Sequence, residues 1–266
     1  MMQNVLKQIK AEFESAITTS RFNGNRYASG SKAKEALIRS QKIINYIHEF
    51  IKTEFVRCGI SSEMIHPPLG CSGPEIKLRG KLKSKKQDVL VVPSQEILLT
   101  ADTFDQQNEK IISVNIRSQL SSLAKNIDTL YERTFAEALN LHLCYPKQCL
   151  GEVYLIPTHE YDDVPMKNNQ VAFKSMSNME DYIQKFQAVN NRQTTSKDEY
   201  KYERVCLLIA DFRQDTPKIY NSKEELISDG LIREDSDANM NHLTINGFVE
   251  NLIRTYTERF GEGILH

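Results

Sequence analysis

The sequence lacks an excess of charge of either sign. Among its 266 residues, 34 are Lys or Arg and 35 are Asp or Glu, which gives a formal net charge of −1. This balance excludes a histone-like or polybasic protein that binds acidic partners with its whole surface. It leaves a local basic groove open, because the net charge averages over all faces of the molecule.

Long apolar segments and paired cysteine motifs are also missing. No run of about 18 apolar residues is present, so we predict no membrane-spanning segment and no membrane partner. The N-terminal segment is amphipathic and mixed in charge, and it lacks the apolar centre of a signal peptide. The five cysteines are scattered without a CxxC pair, a pattern typical of reduced thiols. We therefore expect a soluble cytoplasmic protein.

Motifs of several common enzyme classes are absent. The sequence has no GxxxxGK[ST] phosphate loop, no GxGxxG, no GxSxG and no HExxH. The six histidines are isolated from one another, and the nearby pair Cys144 and Cys149 has no adjacent His. Zinc binding, nucleoside triphosphate binding and acyl transfer are therefore disfavoured.

Helical and strand patterns alternate along most of the chain. Apolar periodicity predicts helices over 1–20, 31–57, 118–142, 179–190, 222–229 and 246–260. β-Rich segments predict strands at 75–79, 89–92, 111–119, 151–157, 171–174 and 204–212. Strands separated by helices favour an α/β or α+β fold, with a mixed central β-sheet flanked by helices and a helical N-terminal region.

The most informative segment extends from Glu75 to Val92. Six basic residues lie between the carboxylates Glu75 and Asp88, namely Lys77, Arg79, Lys81, Lys83, Lys85 and Lys86. We expect a hairpin of 75–79 with 89–92, in which alternate basic side chains share one face. Such a face suits a phosphate backbone, because its cations displace the counterions of DNA. A solvated edge hairpin whose lysines prevent aggregation has the same composition, so both interpretations stay open.

Asp88 directly precedes an apolar strand, VLVV, and a second β-rich run, ISVNIRSQ, follows it. Together with PEIKLRGKLKSKKQDV, NIRSQLSSLAKNIDTLYERTFAEALNLHL and GEVYLIP, this layout resembles the PD-(D/E)xK nuclease superfamily, to which most type II restriction endonucleases belong. The resemblance covers roughly 74–157. It implies a restriction-endonuclease-like fold. We expect a single nuclease domain over 1–266, with a helical N-terminal region (1–65), a catalytic core (70–215) and C-terminal helices (216–266). A separate N-terminal helical subdomain is the alternative, with its boundary in the Pro/Gly-rich segment HPPLGCSGP (66–74).

The resemblance implies a type II restriction endonuclease, a Mg²⁺-dependent hydrolase of phosphodiester bonds in double-stranded DNA at a short specific sequence. In the superfamily, a strand-borne Asp and a (D/E)xK triplet on the adjacent strand bind the metal and activate water. A homodimer is expected, because its two-fold axis matches a palindromic site. The resemblance also implies a prokaryotic protein with a cognate DNA methyltransferase encoded in the same locus.

The chain departs from this pattern at the triplet, where it has Asn115-Ile116-Arg117. Asn is a poorer metal ligand than a carboxylate, and Arg is a fixed cation that does not transfer protons. One explanation is an acid supplied by Glu132 on the following helix. Another is an inactive relative that binds a specific DNA sequence without cutting it.

A third explanation takes the glutamate and lysine from the Glu75–Lys77 segment. We favour a site in which Glu75, Asp88 and Glu132 hold the metal. Lys77 or Arg117 then supplies the cation. This assignment predicts that the hairpin, the second strand and the long helix converge on Asp88.

Polar residues elsewhere have side chains that suit DNA contacts. Gln119 lies at the predicted strand-to-helix junction, where Ser118 is the candidate N-cap and a phosphate would meet the helix N-terminus. Asn191, Arg192 and Gln193 belong to a polar segment whose amide and guanidinium groups are of the type that reads base edges. A mobile surface loop has the same composition, so that interpretation also stays open.

Overall fold

The computed structural model describes residues 1–265 as a mixed α/β fold. Its helices are α1 (Met2–Thr19), α2 (Gly30–Arg39), α3 (Lys42–Arg57), α4 (Gln95–Thr100), α5 (Leu123–His142), α6 (Asp163–Met166), α7 (Glu180–Ala188), α8 (Lys223–Ser228) and α9 (Phe248–Phe260). Its strands are β1 (Arg21–Phe22), β2 (Asn25–Arg26), β3 (Ile65–His66), β4 (Ile76–Leu78), β5 (Lys85–Gln87), β6 (Val89–Val91), β7 (Ile112–Ser118), β8 (Cys149–Pro157), β9 (His159–Tyr161), β10 (Phe173–Met176), β11 (Arg204–Asp211) and β12 (Lys218–Ile219). Short 3₁₀ turns occupy Ser62–Met64 and Gln106–Lys110.

A six-stranded mixed sheet lies at the centre, in the order β12-β11-β8-β7-β6-β3. β7, β8 and β11 are parallel, whereas β6, β3 and β12 are antiparallel to their neighbours. Parallel strands need crossover connections, which contain α5 between β7 and β8, and α7 between β8 and β11. The predicted mixed central sheet flanked by helices is therefore confirmed.

Side chains that alternate along the strands build an apolar core on each face of the sheet. On one face, Val153 and Cys206 pack with residues of α1, α3 and α9, and we call this the α9 face. On the other, Tyr154 and Leu207 pack with residues of α5 and α7, and we call this the α5 face. Because both faces are covered, β8 and β11 are buried along their whole length, which explains their nearly continuous apolar sequences.

The helix predicted over 31–57 is interrupted. It consists of α2 and α3, which are separated at Ser40 and Gln41. Gln41 has a φ of 61°, in the left-handed region that ends a right-handed helix. The break lets α2 pack on α1 while α3 packs on β6 and β7. Both helices bury an apolar stripe, which is why the sequence pattern continues across the break.

The predicted hairpin of 75–79 with 89–92 is wrong, because 89–92 is not the strand that pairs with 75–79. β4 pairs with β5 in a separate two-stranded sheet, in which Lys77 is opposite Lys86, whereas β6 pairs with β7 in the central sheet. Asp88 is the residue at which the chain passes from β5 to β6. Arg79, Lys81 and Lys83 lie in the loop between β4 and β5, so they do not share a strand face with Lys77.

The long helix α5 begins at Leu123, several residues after the predicted start. Ser118 is therefore the last residue of β7, and Ser122, at a φ of 54°, occupies the N-cap without a side-chain hydrogen bond. The carboxylate of Glu160, from β9, accepts hydrogen bonds from the N–H groups of Ser122 and Leu123, each at 2.8 Å. A distant acid thus caps the helix and satisfies two of its free N–H groups.

We expect Glu160→Ala to lower the free energy of unfolding by about 1–2 kcal/mol, because it leaves the first N–H groups of α5 without an acceptor. Chemical denaturation measures this loss. Glu132→Ala, on the exposed side of the same helix, is the matched control and is expected to change the stability by less than about 0.5 kcal/mol. Equal effects of the two changes would contradict the capping role.

No helix within residues 1–265 is long and apolar enough to cross a membrane.

Candidate active site

Charged and amide side chains converge on the α5 face, between α5 and the strands β6, β7 and β8. The register of β6 with β7 sets Asp88 beside Asn115, which in turn pairs with Glu152 of β8. Asn115 and Glu152 point to the same face because they are register partners on neighbouring strands, and a hydrogen bond from the Ile116 N–H at 2.6 Å holds the Asp88 carboxylate beside them. Arg117 lies two residues further along that face, and Glu137 of α5 covers it. We call these five residues the α5-face cluster.

Arg117 holds both glutamates of the cluster. Its guanidinium donates a hydrogen bond to Glu137, and its Nε lies 2.8 Å from Oε1 of Glu152. Glu137 also accepts from Lys85 Nζ at 2.6 Å and from Asn115 Nδ2 at 3.2 Å. Two cations therefore neutralise Glu137, and the Asn115 amide adds a third hydrogen bond to this acid, whose exposed fraction is only 2%.

Glu152 is less well satisfied than Glu137. It is completely buried, and despite the nearby guanidinium neither of its carboxylate oxygens accepts a well-directed hydrogen bond from residues 1–265. Burial raises the pKa of Glu152, whereas the charge of Arg117 opposes that increase.

Asp88 is the acid of the cluster that reaches solvent. Its side chain is 22% exposed, and its Oδ2 accepts a hydrogen bond from the Ile116 N–H at 2.6 Å. Burial raises the pKa of Asp88 to about 6, and the charges of Glu75 and Glu137 contribute to the increase. The hydrogen bond from Ile116 N–H and the charge of Arg117 oppose this increase, so both acids and a guanidinium surround Asp88.

His48, on α3, is a neighbour of Asp88 that the sequence pattern did not indicate. Its Nε2 lies 3.9 Å from Oδ2 of Asp88 and has no hydrogen-bond partner within residues 1–265. Burial lowers the pKa of His48 to about 4, with the charge of Lys52 acting in the same direction. His48 is therefore a neutral imidazole beside the carboxylate.

The structure brings only part of the predicted metal-binding set together. Glu75 is half-buried just before β4, and its charge acts on Asp88. Glu132, by contrast, is exposed on the solvent side of α5, and the glutamate that reaches the cluster is Glu137. The two differ because a five-residue step turns a side chain by about 140° around the helix axis. Lys77 is exposed opposite Lys86 and does not enter the cluster.

The six basic residues of the predicted hairpin have different environments. Lys85 points inward to Glu137, and the guanidinium of Arg79 lies 4.0 Å above the ring of Phe104. The loop between them is held by Asn140, whose backbone oxygen accepts from Lys81 N at 2.7 Å. The basic residues that remain exposed are Lys77, Lys81, Lys83 and Lys86.

Two of the predicted DNA contacts are occupied by internal hydrogen bonds. Gln119 donates its side-chain amide to the carbonyl of Ser121, within the turn before α5. Arg192 is buried and donates to the carbonyl of Pro146 at 2.7 Å, so it is not available to read bases, contrary to the prediction. Asn191 and Gln193 are exposed, and they hydrogen-bond to each other at 2.6 Å.

No family model, no curated protein and no solved structure matches this chain. The fold and the α5-face cluster therefore provide the grounds for a functional assignment.

The donor set around Asp88 fits a magnesium ion in part. Within residues 1–265, no group of three or more His, Cys, Asp or Glu side chains is arranged to hold a metal. Asp88 and Glu75 nevertheless present two carboxylates, and Mg²⁺ in proteins is commonly held by one or two carboxylates together with substrate phosphates and water. Glu75 and Asp88 are also the acids that reach solvent, because Glu137 and Glu152 are buried against Lys85 and Arg117. A cation shared with a phosphate would meet these two carboxylates.

The sequence contained a usable signal for both missed glutamates. Leu130, Thr134 and Leu141 are buried on α5, and Glu137 continues the same three- and four-residue spacing. Glu152 lies inside a fully buried strand. An acid at a position where the pattern calls for a buried apolar residue is a candidate functional residue.

Proposed function

We propose that this protein is a Mg²⁺-dependent endonuclease of the PD-(D/E)xK type, which hydrolyses phosphodiester bonds in double-stranded DNA at a specific sequence as type II restriction endonucleases do. The position of Asp88 carries this proposal. It lies at the start of β6 beside the Asn115–Arg117 triplet of β7, and α5 then leads to the parallel strand β8. This arrangement supports the restriction-endonuclease-like fold that the sequence suggests.

Asp88 and Glu75 are the residues that would hold the ion. When bound, Mg²⁺ would lower the pKa of a water molecule and stabilise charge on the phosphate. Arg117 orients Glu137 and restrains Glu152, so it maintains the shape of the site rather than transferring a proton. The Nε2 atom of His48 has no hydrogen-bond partner within residues 1–265 and lies 3.9 Å from Oδ2 of Asp88, so a water molecule bound to that carboxylate would lie beside an open imidazole nitrogen.

DNA would be held over this site by the exposed lysines. Lys77 and Lys86 face each other across the β4–β5 pair, and Lys81 and Lys83 extend from the loop that joins these strands. Ammonium groups at these positions would neutralise phosphates and make the affinity salt-dependent. A homodimer on a palindromic site, and a cognate methyltransferase in a prokaryotic cytoplasm, complete the proposal.

A sequence-specific DNA-binding protein without nuclease activity is the second candidate. The contacts of Arg117 with Glu137 and Glu152 favour it, because they engage two acids that would otherwise be free for a metal. Asn115 favours it as well, since its amide donates to Gln87 and Glu137.

Incubation of the purified protein with unmethylated phage DNA distinguishes these candidates. For the nuclease, we expect discrete fragments in millimolar Mg²⁺ and intact, retarded DNA in EDTA. Intact but retarded DNA under both conditions would favour the binding protein. If the DNA is neither cut nor retarded at low salt, both candidates are wrong.

A further inference from the structure

A polar cavity lies on the opposite face of the sheet from the α5-face cluster. It has a volume of about 890 Å³ and is formed by the start of β11, the segment 191–195 and α9. Arg204, the first residue of β11, lines it and alternates with Val205, so it shares the α9 face with Cys206. We call this cavity the α9 cleft.

Arg204 is a buried cation whose hydrogen-bonding groups are largely unused. It is 3% exposed, and its Nε and Nη1 have no partner within residues 1–265. Its remaining contact is a long hydrogen bond of 3.4 Å from Nη2 to the carbonyl of Thr244. Burial lowers the pKa of Arg204. Within residues 1–265, no carboxylate is among the groups that shift this pKa. A guanidinium stays charged in proteins, so its burial without a counterion is unfavourable.

The other arginines of the cleft do not remove this excess of positive charge. Arg192 and Arg259 both contact Glu203, which is completely buried between them. Arg254 is largely exposed, and its nearest carboxylate is Glu258 at 4.0 Å. The cleft therefore has four arginines and two glutamates in its lining, and it leaves the buried Arg204 without a negative partner.

We propose that the α9 cleft binds a phosphoryl group, whose oxygens accept hydrogen bonds from the free N–H groups of Arg204. A guanidinium donates parallel hydrogen bonds to two phosphate oxygens from Nε with Nη2 or from Nη1 with Nη2, and each of these pairs contains one of the free groups of Arg204. A phosphodiester carries one negative charge and a phosphate monoester nearly two, and either offsets the charge of Arg204 in a cleft where Arg204 and Arg254 both lack a buried carboxylate partner. The ligand is either a free phosphate compound or a phosphate of a DNA backbone, and neither requires the cleavage activity proposed above.

Isothermal titration with inorganic phosphate tests this site. We expect wild-type protein to bind phosphate, and Arg204→Met to weaken the affinity on the order of tenfold or more. Arg26→Met removes the same charge from an exposed position outside the cleft and is expected to bind like wild type. Equal phosphate affinities of wild type and Arg204→Met, or no binding by wild type at millimolar phosphate, would overturn the proposal.

Thermal unfolding separates a ligand-binding role of Arg204 from a structural one. Without phosphate, Arg204→Met is expected to melt no lower than wild type, because it removes an uncompensated buried charge. Phosphate should raise the Tm of wild type and of Arg26→Met, and leave that of Arg204→Met unchanged. A lower Tm of Arg204→Met together with no effect of phosphate on wild type would show a structural residue and refute the site.

The source of the phosphoryl group follows from two further titrations in EDTA, one with a nucleoside triphosphate and one with a short DNA duplex. If only the affinity for the triphosphate depends on Arg204, the cleft binds a free phosphate compound. Dependence for the duplex, with a salt slope reduced by about one, assigns it to the DNA backbone. Because these titrations measure binding without metal, they remain interpretable if the protein proves not to be a nuclease.

Discussion

Asp88→Asn is expected to abolish Mg²⁺-dependent DNA cleavage and to leave DNA binding intact. Asparagine has nearly the same shape, and its amide oxygen still accepts the hydrogen bond from Ile116 N–H. It lacks the negative charge that a divalent cation requires, so we expect a loss of about 10³-fold or more in the cleavage rate. Single-turnover cleavage assays measure the rate, and gel retardation in EDTA measures the affinity.

Two further carboxylate changes make this test specific. Glu137→Gln removes an acid that contacts Arg117, Lys85 and Asn115, and it is expected to slow cleavage as well. Glu132→Gln alters an exposed acid of the same helix and is expected to cut at the wild-type rate. If folded Asp88→Asn cuts as fast as wild type, the site assignment is wrong. A slow Glu132→Gln with a normal Glu137→Gln would favour the sequence-based site over the structural one.

The central strands could be predicted from the sequence because their burial leaves a local trace. β8 and β11 lie between two helical layers, so nearly every residue is apolar and the segments are recognisable without any partner. Asp88 was recognisable for a related reason, since an acid directly before VLVV has to lie at the start of a buried strand. These features depend on neighbours in the sequence.

The remaining parts of the site depend on how distant segments approach each other. The choice between Glu132 and Glu137 is determined by the angle at which α5 crosses the sheet, and that angle has no local signature. The sequence around the start of α5 does not indicate its cap, because Glu160 belongs to β9, which comes after the whole helix in the sequence. Arg192 has the composition of a DNA-reading residue, yet packing against the carbonyl of Pro146 turns it inward. Polar residue types therefore indicate a site less reliably than apolar runs indicate a strand.

Glu203→Gln is expected to cause a large loss of stability, about 3–5 kcal/mol, because it breaks a completely buried ion network. Oε1 of Glu203 lies 2.8 Å from Arg259, and Oε2 accepts from the Leu150 N–H at 2.7 Å. His142 Nε2, at the end of α5, lies 3.4 Å from the same carboxylate. One side chain thus joins α5, α9 and the starts of β8 and β11. Glutamine keeps the size of the side chain but leaves the buried cations without a charge partner.

The pH dependence of this loss identifies its electrostatic origin. Burial by itself would raise the pKa of Glu203, but the His142 ring, Arg259 and the Leu150 N–H outweigh it and lower the pKa to about 2. An unfolded glutamate has a pKa near 4.5. The unfolded chain therefore takes up this proton first as the pH falls. The stabilisation from Glu203 is complete above about pH 4.5 and is lost between about pH 4.5 and pH 2, by roughly 3 kcal/mol.

Urea denaturation of wild type and Glu203→Gln at several pH values measures this effect. We expect the difference in the free energy of unfolding to be largest near neutral pH and to shrink below about pH 4.5, because acid removes the same charge from wild type. Glu258→Gln, an exposed acid of α9, is the control and is expected to change the stability by less than about 0.5 kcal/mol at every pH. A difference that stays constant down to pH 3 would assign the loss to packing alone. The network would then be stabilised by packing, and Glu203 would not neutralise the charges of Arg192 and Arg259 in the α9 cleft.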